Sequence, residues 1–188
     1  SYGMYDLVNK QQTSFRASMI SSPYTNSSRH ILGIGFNSNV PGVILDMEKY
    51  VGKNSTLTML VPNRIAQEQI EAVLENATNF KCEIIIGNTH SKDVLSQFDF
   101  GKYDTLAVFT NDFNLMDNPD EETLLTLLHL QDFKKLSNNF PTIVVELKDN
   151  KNIDSLEYVN VDDLRMSVEC TKSSPLIEPL VSFPRCVI

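Results

Sequence analysis

The sequence predicts a doubly wound α/β domain: a mostly parallel sheet of five to six strands with helices on both faces. Three observations carry this. Short apolar, β-branched runs recur through the middle of the chain, as in "ILGIGF", "STLTMLVP" and "TIVVEL". Segments whose apolar residues fall at helical spacing separate them. The connections are roughly 10–20 residues long, the length of right-handed β-α-β crossovers between parallel strands. Together they describe a Rossmann-like domain, whose ligand crevice lies beyond the carboxyl ends of the strands where the strand order reverses.

Residues Ser1 to Arg29 are polar, and "SSPYTNSS" reads as a linker leading into the domain. "ILGIGF" is the first strand. Val40, Val43, Ile44, Met47 and Val51 then make a helical stripe, with Pro41 in its first turn and Gly52 expected to end it. "STLTMLVP" is the second strand, and Ala66, Ile70, Val73 and Ala77 mark the next helical face. "FKCEIIIG" is the third strand, followed by a short helix in "SKDVLSQFDFG" with Thr89 or Ser91 as its cap. "YDTLAVFT" is the fourth. The next helix has a strong start signal: Asn118 as cap, Pro119 at the first helical position and Glu121 able to bond back. "TIVVEL" is the fifth strand, "NIDSLEYV" a short helix, and "VNVDDLRMSV" a sixth strand or edge segment. The domain is thus expected over 30–168, with 169–188 as a C-terminal extension. The tail from Thr171, with Pro175, Pro179 and Pro184, is expected not to continue the alternation.

Composition narrows the function. A chain of 188 residues with 41% hydrophobic residues buries a real core. Its net charge of −8 argues against a nucleic-acid backbone and against anionic lipid as partners. Cys82, Cys170 and Cys186 show no metal-ligand spacing and fit a reducing compartment. No membrane span or signal peptide is visible, and a start without Met fits an excised fragment.

Chemistry concentrates at the strand exits. "HILGIGFNSN" has the strand, paired glycines and following helix of a dinucleotide-binding unit, but Ser38 stands where a third glycine is expected. Gly33 is read as making the tight turn and Gly35 as letting backbone approach a phosphate. The second strand ends in "LVPNR", with no acid for a ribose; Arg64 is available to a phosphate instead. With Asn88, Thr89, Thr110 and Asn111 at the other exits, the candidate cofactor contacts are Gly33, Gly35, Ser38, Asn88, Thr89, Thr110 and Asn111. Against this stands a tight turn inherited with the fold, with polar residues that only cap helices. The acidic loop offers Asp112, Asp117 and Asp120 as oxygen ligands for a divalent cation, against a solvated acidic loop without EF-hand spacing. His30, His90 and His129 form no constellation, there is no P-loop, and no catalytic residue is assigned. The Leu-rich helix, with Leu124, Leu125, Leu127, Leu128, Leu130, Phe133 and Leu136, carries more apolar surface than one narrow stripe, so part of it is expected either deeply buried or against another subunit.

Several stretches together resemble the regulator-of-K⁺-conductance, or TrkA N-terminal, domain family, from about His30 to Ser167. "GNTHSKDVL" resembles its Gly-Asp-(Ala/Ser)-Thr-x-x-x-x-Leu stretch, "YDTLAVFTND" its fourth strand, "ETLLTLLHLQDF" the helix that follows, and "VVELKDNKNIDSLEYVNVDDL" its closing unit. "ILDMEKYVGKNSTLTML" and "TLLTLLHLQD" resemble the CASTOR/POLLUX-type ion channels and their bacterial relatives within it. The resemblance implies a non-enzymatic regulatory domain on the cytoplasmic side of a membrane. It implies pairing into homo-oligomers, dimers or gating rings, and coupling to a pore domain in the same or a partner chain. The ligand implied is an NAD- or ATP-like nucleotide or a divalent cation. The alternatives are an NAD(P)-dependent oxidoreductase fragment, for which the roughly 20 residues after the alternating unit are too few to make a substrate domain, and an assembly scaffold with an empty crevice.

Overall fold

The computed structural model describes residues 27–112, 119–149, 151, 152, 154 and 156, and the backbone of strands at 166–172 and 186–187. In chain order the elements are β1 (His30–Ile34), α1 (Val40–Glu48), β2 (Ser55–Val61), α2 (Arg64–Leu74), β3 (Phe80–Ile86) and α3 (Lys92–Leu95). After them come β4 (Thr105–Val108), α4 (Asp120–Lys135), β5 (Thr142–Asp149), β6 (Met166–Lys172) and β7 (Cys186–Val187). They form a seven-stranded sheet in the order β3-β2-β1-β4-β5-β6-β7. Strands β1 to β6 pair in parallel and only β7 is antiparallel, on β6. The order reverses between β1 and β4, which makes their exits the switch point.

The strands look continuously apolar because both sheet faces are covered. Leu32, Ile34, Leu60, Leu106, Val108, Ile143 and Val145 pack on one face with Leu95, Leu127 and Leu130 from α3 and α4. Ile31, Leu57, Met59, Ala107 and Val144 pack on the other with Val40, Val43, Ile44 and Met47 of α1 and Ala66 and Ile70 of α2. β3 is the sheet's edge, where exposed Lys81 and Glu83 discourage further strand pairing. The start of β3 is clasped from α1: the Glu48 carboxylate accepts from the backbone N–H of Thr78, Asn79 and Phe80 at 2.6, 2.7 and 3.0 Å.

Several local expectations change. α1 ends at Glu48, four residues before Gly52, and the left-handed residue of the following turn is Asn54, with φ 66°. Asparagine tolerates that conformation, so no glycine is required. α4 begins at Asp120 with Pro119 in the cap position and no side-chain cap bond; Asn118 lies outside the described residues. Most of "NIDSLEYV" also lies outside them. The sixth strand runs from Met166 to Lys172, across the expected boundary at 168, because β5 still offers partners as far as Asp149. Cys186–Val187 of the tail joins the sheet through β6. On α4 the leucines divide: Leu127 and Leu130 are buried, whereas Leu125 and Leu128, and Leu136 just past the helix end, are exposed.

Candidate regulatory site at the strand switch point

The glycine loop and the exit of β4 lie against each other. Gly35 has φ 96°, a left-handed conformation that favours glycine, and a Cβ there would stand 2.1 Å from the Phe109 carbonyl oxygen. A close approach is therefore real, but the group approaching is the chain's own backbone at Phe109, just past β4. Gly33 is corrected more fully. It lies within β1, not in the turn, and a Cβ would stand 2.3 Å from Met59 Sδ. The missing side chain makes room for Met59.

The N–H groups of Phe36, Ser38, Asn39 and Val40 in this loop are also taken. The Asn111 carboxamide oxygen accepts from Phe36 N at 2.8 Å, and the Asp112 carboxylate accepts from Ser38 N at 2.9 Å. Asn37 Oδ1 accepts from Asn39 N, and its carbonyl from Val40 N. A carboxylate at this position is favoured by the partial positive charge at the start of α1. Backbone bonds from Phe109 N to Ile34 O and from Asp112 N to Phe36 O close the β1 and β4 exits together.

Beneath the loop is a buried polar network. Asn37 Nδ2 donates to Thr110 O at 2.8 Å and to Glu146 Oε1 at 2.7 Å, and Thr110 Oγ1 donates to Glu146 O at 2.9 Å. Asn111 Nδ2 reaches Thr89 Oγ1 at 2.8 Å and Glu122 Oε2 at 3.2 Å. Thr126 Oγ1 donates to Thr89 O. Thr89, Thr110 and Asn111 thus all lie in this buried region with their polar atoms bonded within the chain: Asn111 to Thr89, and Thr110 to Asn37 and Glu146. Asn88 is exposed and turns its side chain back to His90 N; Ser91, not Thr89, caps α3. Among the described residues, buried His90 Nδ1 has no hydrogen-bond partner, and it lies 3.7 Å from Glu122 Oε2.

Glu146 is the residue that the sequence reading missed. It is an acid inside the buried run of β5, and burial pushes its carboxyl up to about 7. Lys148, a backbone hydrogen bond from Thr110 and the Asn37 amide hold that rise back, and Asp120 adds to it. The signal was present: a lone acid in a strand apolar on both faces needs a partner.

Of the carboxylates expected to bind a cation, the two that are described, Asp112 and Asp120, are each bonded to different parts of the chain. Asp120 is buried and accepts from Lys148 N, Asp149 N and Asn152 Nδ2 at 2.8, 3.0 and 2.6 Å, which fastens α4 to the end of β5. Asp112 serves Ser38, and Asp117 lies outside the described residues. Among the described residues no three His, Cys, Asp or Glu side chains are grouped to hold a metal. Arg64 is exposed and pairs with Glu68 at 3.2 Å, while Asn63 caps α2 through Ala66 N.

The TrkA-N domain family model matches residues 61–166, more than half of the chain, from the last residue of β2 to the first of β6. The chain belongs to the TrkA-N domain family. No curated protein matches it. TrkA-N domains are regulatory, NAD-binding-type domains of potassium transport systems. The matched region begins after the glycine loop, and this TrkA-N domain's loop does not fit a dinucleotide. The donors that would meet a pyrophosphate are held by Asn111 and Asp112, and no acid ends β2. Among the described residues, no helix is long and apolar enough to cross a membrane.

Proposed function

We propose that this TrkA-N domain is the regulatory module of a potassium-type cation channel or transporter, of the CASTOR/POLLUX kind, acting on the cytoplasmic side of the membrane. It is not an enzyme in this reading. Paired copies shift between two arrangements, and the shift is passed to a pore in the same or a partner chain. Such a shift requires a signal that stabilises one arrangement over the other. The observation that supports the reading is the buried network at the switch point. It joins the β1 loop through Asn37, the β4 exit through Thr110, and β5 through Glu146. In this reading a change at one of the three is passed to the others through these bonds.

The exposed Leu125 and Leu128 on α4, with Leu136 at its end, support self-association, since apolar side chains left in water along one helix favour a covering partner. The test is cation flux. The parent reading frame, expressed in cells that lack their own potassium uptake, is expected to restore rubidium entry, and removal of this domain to change its regulation. Flux that is indifferent to the domain sinks the reading.

A further inference from the structure

We infer that Asn111 and Asp112 are the resident occupants of this domain's glycine loop, and that the domain works without a dinucleotide there. The inference goes beyond the regulatory reading, and the two fail separately: one is tested by flux, the other by binding and amide exchange.

A dinucleotide site of this fold offers three things: free N–H groups at the loop, open space over the glycines, and an acid at the end of the second strand. All three are altered here. The Phe36 and Ser38 N–H groups are bonded to the side chains of Asn111 and Asp112. The space over Gly33 is filled by Met59, and that over Gly35 by the Phe109 carbonyl and Asn111 Oδ1. The end of β2 carries Asn63, whose oxygen caps α2, and Arg64, which pairs with Glu68.

The occupant resembles the ligand that it displaces. Asp112 brings a carboxylate to the amide that would face a phosphate, and Asn111 brings a neutral acceptor. Both are tethered to β4, so they compete at the high effective concentration of an intramolecular group. A pyrophosphate approaching the loop would also meet the Asp112 charge at close range. The β1–β4 clasp that a dinucleotide would provide across the switch point is instead built from the chain. Asn111 extends the clasp to Thr89 and Glu122, tying it to the β3 exit and to α4.

The test uses the 188-residue chain. Titration calorimetry with NAD⁺, NADH and ADP is expected to give no saturable heat up to about 1 mM. Hydrogen exchange then reads the loop itself. Asp112→Ala is expected to speed exchange of the Ser38 amide about tenfold or more, while Asp99→Ala, an exposed acid elsewhere, leaves it unchanged. Should the alanine variant not fold, Asp112→Asn carries the same readout with about a threefold rise. Binding of any of the three nucleotides that slows exchange at Phe36 and Ser38 overturns the inference, as does a Ser38 amide indifferent to Asp112. Heat without any change at those amides places the nucleotide elsewhere and leaves the loop closed, in support.

Discussion

Asn37 and Glu146 lie 109 positions apart in the chain, and the Asn37 amide donates to the Glu146 carboxylate at 2.7 Å inside the domain. The glycine loop is thereby bonded to the fifth strand's acid, and protonation of that acid bears on the stability of the fold. Burial raises the Glu146 carboxyl from 4.5 to about 7, so the folded state holds its proton more tightly than the unfolded chain. The stabilisation is complete below about pH 4.5 and is lost as pH rises through about 7, a span worth on the order of 3 kcal/mol. Glu146→Gln removes the titration. Thermal melts of both proteins from pH 4.5 to 8 are expected to show the wild type losing stability relative to the variant as pH rises. Parallel pH profiles would refute the assignment.

Gly33 and Gly35 are expected to respond differently to alanine. At Gly33 the obstacle is the flexible end of Met59, so Gly33→Ala costs about 1–3 kcal/mol in the wild type and less in a Met59→Ala background. At Gly35 the obstacle is the Phe109 backbone and the residue is left-handed, so Gly35→Ala costs more than about 3 kcal/mol in either background. Urea unfolding of the three single and two double variants decides between them.

Asp120 is assigned a structural role. Asp120→Ala strips the acceptor from two backbone N–H groups and the Asn152 amide, and is expected to cost about 2–4 kcal/mol in chemical unfolding. Calcium or magnesium is expected to leave the melting temperature of the wild type unmoved. A rise with either ion that Asp120→Ala removes would restore the cation reading.

Self-association through α4 is expected to depend on its exposed leucines. Leu128→Glu, beside exposed Leu125, leaves the core residues Leu127 and Leu130 in place. Light scattering is expected to show a shift toward monomer with an unchanged melting temperature. An unaltered mass would move the pairing surface off this helix.

Much of the architecture was written in local pattern. β1 to β5 were legible because a sheet covered on both faces leaves short, unbroken apolar runs, and α1, α2 and α4 because one helical stripe must meet that sheet. The sixth strand's end was not legible. Its extent depends on what β5 leaves unpaired, and that is set outside the segment.

Local pattern was enough to read the layered α/β fold, the glycine requirement at the first strand's exit and the cluster of polar residues around it. The use of those residues followed from the strand order. Asn37, Asn111 and Asp112 each read as a candidate for ligand or turn until the fold set β1 beside β4 and β5. There they bond to Glu146, Phe36 and Ser38. Periodicity records which side of an element is buried. It does not record which distant group a buried amide will meet, because that partner is chosen by strand order and crossover geometry.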